Sequence, residues 1–275
     1  MVITLNRLRA FLHRGPRHAM KRIYYAARAP QARCFPLVAE RLAGRGLEIG
    51  GPSPIFARRG LVPVYPNVGE LDNCNFGPET VWEGRLTEGR HFRFGERTGF
   101  QFVSEAFQLV AADASYDFVL SSHMLEHSAN PIRVLAEWRR ILNARGHLLL
   151  VLPDGARTMD HQRPITTLAH LIEDFNAGTG EDDRTHIEEI VALHDLAWTP
   201  EYPDREAIRR TLANNAQHRL MHHHVFDMRL AVELVQHAGF DVLAQESGFP
   251  LHLIVLAQKS ERAGPAPAAA RPRLP

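Results

Sequence analysis

Between residues 113 and 154 the chain alternates short apolar segments with a helical one, and this alternation constrains the fold most strongly. Residues 117–121 and 147–152 are apolar enough for buried strands, and residues 131–142 between them have helical periodicity. Consecutive strand, helix and strand segments of this kind build a parallel sheet covered by helices. The sequence therefore predicts an α/β fold.

Further segments extend the same pattern. Residues 46–51 (GLEIGG) predict a strand that runs into a glycine turn, and residues 227–239 predict a helix followed by strands at 240–244 and 251–257. Residues 154–224 are polar, rich in histidine and acids, and contain no clear strand. A segment of this length inside a domain is more often a helical insertion over a site than an open loop.

The charge is distributed unevenly. Lys and Arg number 32 against 31 Asp and Glu, which leaves a net charge of +1 and no strong field for nucleic acid. Residues 1–45 nevertheless contain ten Lys or Arg and a single acid, Glu40. They predict a basic helical arm that lies on the domain or contacts a partner or a membrane surface. Residues 259–275, rich in Pro, Ala and Arg, predict a disordered tail.

The two cysteines, Cys34 and Cys74, cannot form a disulfide framework and do not have metal-ligand spacing. No apolar run approaches the roughly 18 residues of a membrane-spanning helix. We therefore expect a cytoplasmic protein.

Residues 115–154 contain motifs that are similar to a known family. Tyr116 and Asp117 enter the strand, Leu-Glu-His ends at His127, and the following helix runs into RILNARG, which ends at Gly146. This segment resembles the class I S-adenosylmethionine-dependent methyltransferases. The resemblance implies a Rossmann-like fold at residues 46–258, with a mostly parallel seven-stranded sheet, helices on both faces, and the insertion after the fifth strand on the acceptor side. It also implies S-adenosylmethionine as cofactor.

The resemblance implies positions for the cofactor-binding residues. Glu48 would accept a hydrogen bond from the cofactor ammonium, or would instead orient its own turn, while Gly50 and Gly51 admit the cofactor. An acid at the end of the second strand would bind the ribose: Asp72 next to Asn73 is the candidate, Glu70 the competitor, and an Asx turn the structural alternative. The remaining positions are Glu105 and Ala106 at the adenine, and Ser121 and His123 after the fourth strand.

The candidate catalytic residues are histidines. His127 follows the fourth strand, and His222, His223 and His224 precede the helix at 227–239. A neutral imidazole can remove a proton from an acceptor hydroxyl. The His222–His224 run predicts an acceptor-lining or basic role, a structural hydrogen-bonding role, or, with His218 at i,i+4 spacing, a metal site. We expect no metal, because no recognised ligand motif is present.

The predicted function is methyl transfer to a small-molecule or saccharide acceptor, since the domain lacks the basic, aromatic stripe of a nucleic-acid binder. Two alternatives stay open from the sequence. One is a non-catalytic module that acts through its basic arm, and the other is a metal-dependent hydrolase that uses residues 218–224.

Overall fold

The computed structural model describes residues 31–262, 264 and 265. The helices, in chain order, are α1 Phe35–Arg41, α2 Pro131–Ile141, α3 Leu168–Ala177, α4 Ile187–Leu193, α5 Arg205–Leu212, α6 Asn215–His218 and α7 Met228–His237. The strands are β1 Arg45–Ile49, β2 Glu70–Asn75, β3 Glu79–Thr80, β4 Gly84–Arg85, β5 Gly89–Phe94, β6 Arg97–Val103, β7 Tyr116–Ser122, β8 Leu142–Pro153, β9 Phe240–Gly248 and β10 His252–Lys259.

The main sheet has eight strands in the order β5-β6-β2-β1-β7-β8-β10-β9. Strands β6, β2, β1, β7 and β8 are parallel, whereas β10 is antiparallel to both β8 and β9. This arrangement confirms the predicted α/β fold with a mostly parallel sheet. The strand count differs by one, because β5 pairs antiparallel with β6 and adds an eighth strand at the edge.

Both faces of the central strands are buried. On β8, Leu148 and Leu150 pack into a core with α2 and α7, while Leu149 and Val151 pack into a second core with α1 and the segment after β1. Successive side chains of a strand point to opposite faces, so a strand covered on both sides needs a continuous apolar run. This requirement explains why the sequence around β8 is apolar without alternation.

The lid, defined as residues 154–224, leaves the sheet after β8 and carries α3, α4, α5 and α6. It has an apolar cluster of its own, in which Ile187 and Val191 of α4 pack against Ile208 and Leu212 of α5. The segments that enter and leave the lid lie side by side, since the Gly155 N–H donates to the Phe226 carbonyl at 2.8 Å.

The elements predicted around β1, β7, α2, β8, α7, β9 and β10 are present. Residues 1–30 and 266–275, which hold most of the predicted basic arm and tail, lie outside the described residues. Within the described part of the chain, no helix combines the length and apolar character needed to cross a membrane.

Candidate active site

A cavity of about 800 Å³ lies between the carboxyl ends of the parallel strands and the lid. Its floor comes from residues that end or follow strands, including Gly50, Asn75, Ser104 and Ser122, and its roof comes from the lid. Ligand pockets for small molecules typically have volumes of about 300–1,000 Å³. The carboxyl edge of a parallel sheet is also where α/β proteins bind ligands.

The glycine turn after β1 forms one wall of the cavity. Gly50 has φ +82°, a conformation that L side chains rarely adopt. A Cβ on Gly51 would lie 2.3 Å from the Cδ atom of Glu48. Both positions therefore require glycine, the first for its backbone conformation and the second for the space that the Glu48 carboxyl group fills.

Glu48 is fully buried and does not line the cavity. Its Oε1 accepts from the Ser53 N–H at 3.0 Å, and its Oε2 accepts from the Tyr65 hydroxyl at 2.7 Å. Burial raises the pKa of Glu48 to about 7. Of the two roles open from the sequence, this geometry matches the orientation of the turn.

Asp72 lies elsewhere than the sequence predicts. It is three residues before the end of β2, does not line the cavity, and accepts from Arg45 Nη2 at 2.7 Å, from the Tyr116 hydroxyl at 3.0 Å and from the Phe100 N–H at 2.9 Å. The predicted placement of an acid at the end of this strand is corrected: β2 runs on to Asn75, and Asp72 joins neighbouring strands inside the sheet. The competitor, Glu70, starts β2 and is farther still from that edge.

Two asparagines of β2 contribute to the carboxyl edge of the sheet, one by bonding the glycine turn and the other by lining the cavity. The Asn73 Oδ1 accepts from the Gly51 N–H, and its Nδ2 donates to the Gly51 carbonyl, both at 3.0 Å. Asn75 lines the cavity, and its Oδ1 accepts from Asn73 at 2.6 Å and from Gln101 Nε2 at 2.9 Å. The sequence analysis did not identify Asn75. The only available signal was that the apolar and amide pattern of β2 continues past Asp72.

The segment after β6 places Glu105, Ala106 and Phe107 on the cavity wall. The Glu105 Oε1 accepts from Arg219 Nη2 at 2.6 Å, and Arg219 Nη1 lies 2.8 Å from Glu181 Oε2. Burial raises the pKa of Glu105, and the positive charge of Arg219 opposes that shift. Because Arg219 and Glu181 belong to the lid, this ion-pair network joins the lid to the sheet edge.

The end of β7 contributes a pair of neutral histidines. His123 lines the cavity, and its Nε2 lies 2.8 Å from Nδ1 of His252, which starts β10. Burial lowers the pKa of His123 to about 3 and that of His252 to about 4. Ser121, in contrast, is fully buried below the cavity, where its hydroxyl lies 3.5 Å from the Ile49 carbonyl oxygen.

His222, close to the end of the lid, lines the cavity and is hydrogen-bonded to the carboxylate of Asp160. Its Nδ1 donates to Asp160 Oδ2 at 2.6 Å, and Nε2 has no hydrogen-bond partner among the described residues. Burial disfavours the charged ring, but Asp160 outweighs it and raises the pKa of His222. Arg163 holds both, since it donates to Asp160 Oδ1 and to the His222 carbonyl, each at 2.9 Å.

His127 also lines the cavity, with its ring centroid 4.6 Å from that of His222. Burial lowers its pKa well below the ordinary value. Next to it, burial raises the pKa of Glu126 to about 7, and Glu126 Oε2 has no hydrogen-bond partner in the described structure.

The other predicted histidines do not line the cavity. His223 is buried with its Nε2 3.1 Å from Asn215 Nδ2, and His224 Nε2 donates to Asp174 Oδ2 at 3.0 Å. His218 ends α6 and is exposed. The i,i+4 metal pair considered for His218 and His222 is thus not formed, because α6 ends at His218 and His222 lies beyond it.

A comparison with protein families matches the part of the chain that contains the motifs described above. The sequence model of a methyltransferase domain matches residues 82–150, which include Glu105, His123 and His127. The comparison with curated proteins found no match. Among solved structures, the chain is similar to a SAM-dependent methyltransferase from Aquifex aeolicus (13% identity, 82% of this chain and 88% of that chain, TM-score 0.44). It is also similar to an S-adenosylmethionine-dependent methyltransferase from Mesorhizobium loti (13% identity, 82% and 98%, TM-score 0.46).

Proposed function

We propose that this chain is a class I S-adenosylmethionine-dependent methyltransferase and that it methylates a hydroxyl group of an uncharged small molecule or saccharide bound beneath the lid. The observation that carries the proposal is that the His222–Asp160 pair opens into the same cavity as the glycine turn.

The residues at the sheet edge fit the cofactor. Gly50 leaves the strand end without a side chain, Asn75 presents a buried amide, and Ala106 and Phe107 offer an apolar surface next to Glu105. We assign the methionine end of the cofactor to Gly50, the ribose to Asn75, and the adenine to residues 104–107. When bound, S-adenosylmethionine supplies a methyl group that is already activated on a sulfonium. The protein therefore needs only to align an acceptor and to remove its proton.

His222 is the proposed proton acceptor. Asp160 raises the pKa of His222, so the ring can act as a base at pH values above that pKa. There its Nδ1–H is fixed by Asp160, the lone pair is on Nε2, and Asp160 stabilises the charged ring that forms. The acceptor oxygen gains the methyl carbon and loses its proton to Nε2, and S-adenosylhomocysteine leaves. His127 is a weaker candidate, because its burial opposes a positive charge and no carboxylate lies within hydrogen-bond distance of it.

The charge of the cavity wall supports an acceptor without phosphate or carboxylate groups. Among the described residues the wall has a single arginine, Arg219, and it is already paired with two acids. Six carboxylic side chains surround the cavity: Glu83, Glu105, Glu126, Asp160, Glu181 and Glu201. An anionic acceptor would meet repulsion there, whereas apolar roof residues such as Ile190 and Tyr202 suit a neutral ligand with a partly apolar surface.

Two broader expectations remain proposals. A cytoplasmic location is consistent with the unpaired thiols of Cys34 and Cys74. Membrane or partner contact through the basic arm concerns mainly residues outside the described part of the chain.

Calorimetric titration of the full chain with S-adenosylhomocysteine tests the cofactor site. We expect micromolar binding that Asn75→Ala weakens at least tenfold and that Asn214→Ala, an exposed change in the lid, leaves unchanged. Folded protein that binds neither S-adenosylmethionine nor S-adenosylhomocysteine would overturn the proposal. A panel of neutral alcohols and saccharides, each with a charged analogue, then tests the acceptor, and a preference for the anionic analogues would contradict the charge argument.

A further inference from the structure

We propose that His170, Asp174, His186 and His224 bind one divalent transition-metal ion, with Zn²⁺ the best fit, and that this ion fixes three segments of the lid to one another. The four side chains each offer one ligand atom, and these atoms lie within 4.8 Å of one another. They do not line the cavity, so this site is separate from the proposed active site.

The distances between ligand atoms match a tetrahedral site. His170 Nε2 lies 3.2 Å from His186 Nε2 and 3.3 Å from Asp174 Oδ2, and His224 Nε2 lies 3.0 Å from Asp174 Oδ2. Zinc bonds of 2.0–2.1 Å in a tetrahedron separate neighbouring ligand atoms by about 3.3 Å. Three of the six distances between ligand atoms are thus close to those of a zinc tetrahedron, and the other three lie within 4.8 Å, so small side-chain movements would bring all four atoms onto one ion.

The donor set has the right chemistry. Three imidazoles and one carboxylate suit Zn²⁺, and four protein ligands fill a tetrahedron, as in structural rather than catalytic zinc sites. The second carboxylate oxygen of Asp174 is also held, because it accepts from the Thr179 hydroxyl at 3.0 Å. Outer contacts of this kind orient the first ligands of metal sites.

The surroundings allow an ion to enter and stay. The His224 side chain is 1% exposed, and Asp174 is 14% exposed, whereas His170 is 36% exposed and forms the solvent side of the cluster.

The ligands come from three separate segments. His170 and Asp174 share one face of α3, His186 immediately precedes α4, and His224 is the last residue of the lid, before α7. An ion at this site would hold the N-terminal end of α4, whose Ile190 lines the cavity together with His194 at the other end of the helix. The sequence analysis grouped His224 with its neighbours in the chain and did not bring it together with His170, Asp174 or His186.

Metal binding by untagged, metal-stripped full-length protein tests the inference. We expect one equivalent of Zn²⁺ per chain after gel filtration, an intense visible spectrum typical of tetrahedral coordination when Co²⁺ is added, and a melting temperature raised by several degrees with Zn²⁺. His170→Gln and His186→Gln should each lose the stoichiometric metal and the stabilisation. The matched control His218→Gln, exposed on the same lid, should keep both.

A second control separates this cluster from Glu126, His127 and His222, whose ligand atoms also lie within 4.8 Å of one another. His222→Gln should retain the full metal content. The inference is overturned if the wild-type protein binds no stoichiometric metal, if the His170 and His186 variants bind it equally well, or if His222→Gln loses it. Binding of S-adenosylhomocysteine, measured in parallel, reports on the proposed function independently of these outcomes.

Discussion

The Nδ1 atom of His222 lies 2.6 Å from Oδ2 of Asp160, and Arg163 donates both to the Asp160 carboxylate and to the backbone carbonyl of His222. Burial opposes the negative charge of Asp160, but His222 and Arg163 keep its pKa well below the ordinary value. An ionised carboxylate only accepts hydrogen bonds, so the proton of neutral His222 is on Nδ1 and Nε2 is free to accept another.

The first prediction concerns this pair. His222→Asn and Asp160→Asn should each lower kcat by about 10²–10⁴, the usual contribution of a positioned base, with little change in the dissociation constant for S-adenosylhomocysteine. Steady-state kinetics and calorimetry measure the two effects. His218→Gln is the control, and thermal unfolding checks that each variant folds. A loss of less than about tenfold in kcat for His222→Asn would assign the proton transfer to another group.

The second prediction concerns Gly51. Alanine at this position would place a Cβ 2.3 Å from Cδ of Glu48, whose contacts with Ser53 and Tyr65 fix the turn. We expect Gly51→Ala to lower the free energy of unfolding by about 1–3 kcal/mol and to weaken cofactor binding. Gly69→Ala, where a Cβ meets nothing within 4 Å, is the matched control. Equal stability of both variants would contradict the packing argument.

The third prediction concerns the ion pairs between the lid and the sheet edge. Arg219→Met keeps much of the side-chain volume but leaves Glu105 and Glu181 without their cation. We expect faster hydrogen exchange throughout the lid and weaker cofactor binding, because the acid next to the proposed adenine site is no longer paired. Arg210→Met, an exposed change on α5, should have neither effect. Unchanged exchange in Arg219→Met would show that the network does not hold the lid.

The fourth prediction concerns pH. His252 has a pKa of about 4 in the folded protein because it is buried against His123. A histidine in the unfolded chain has a pKa near 6.5, so between these values the unfolded state binds the proton and the folded state does not. This contribution to stability is complete above about pH 6.5 and is lost as the pH falls towards about 4.

His252→Gln removes that group and should flatten the pH dependence by at most about 3 kcal/mol across the window. Urea unfolding at several pH values gives the free energy of unfolding of both proteins. In the difference between the two curves, the contributions of most other titrating groups cancel. Parallel curves for the two proteins would show that His252 titrates normally in the folded state.

The sequence predicted the central sheet because β7 and β8 are short apolar runs with a helix between them. It predicted little of the other edge, since β5 (GRHFRF) and β6 (RTGFQFV) mix charged and aromatic residues, as strands with one solvated face do. The resemblance to the methyltransferase family, and the cofactor that it implies, followed from the residues around β7, α2 and β8.

Individual site residues were harder to predict. The family pattern points to Asp72 because it places an acid near the end of β2, but the exact register of a strand decides which side chain reaches its edge. The spacing of His170 and Asp174 on one helix was visible in the sequence. Their approach to His186 and His224 depends on how the lid folds, which no local pattern encodes.

The adjacency of Gly155 and Phe226, where the lid begins and ends, has an evolutionary consequence. A segment whose two ends meet can be lengthened, shortened or exchanged without pulling on the strands that it connects. The roof and the proposed base belong to that segment, whereas the glycine turn and Asn75 belong to the sheet. New acceptor preferences can therefore arise by recombination of one contiguous stretch of coding sequence, provided that it keeps Arg219, while Gly50 and Asn75 of the proposed methyl-donor site stay intact.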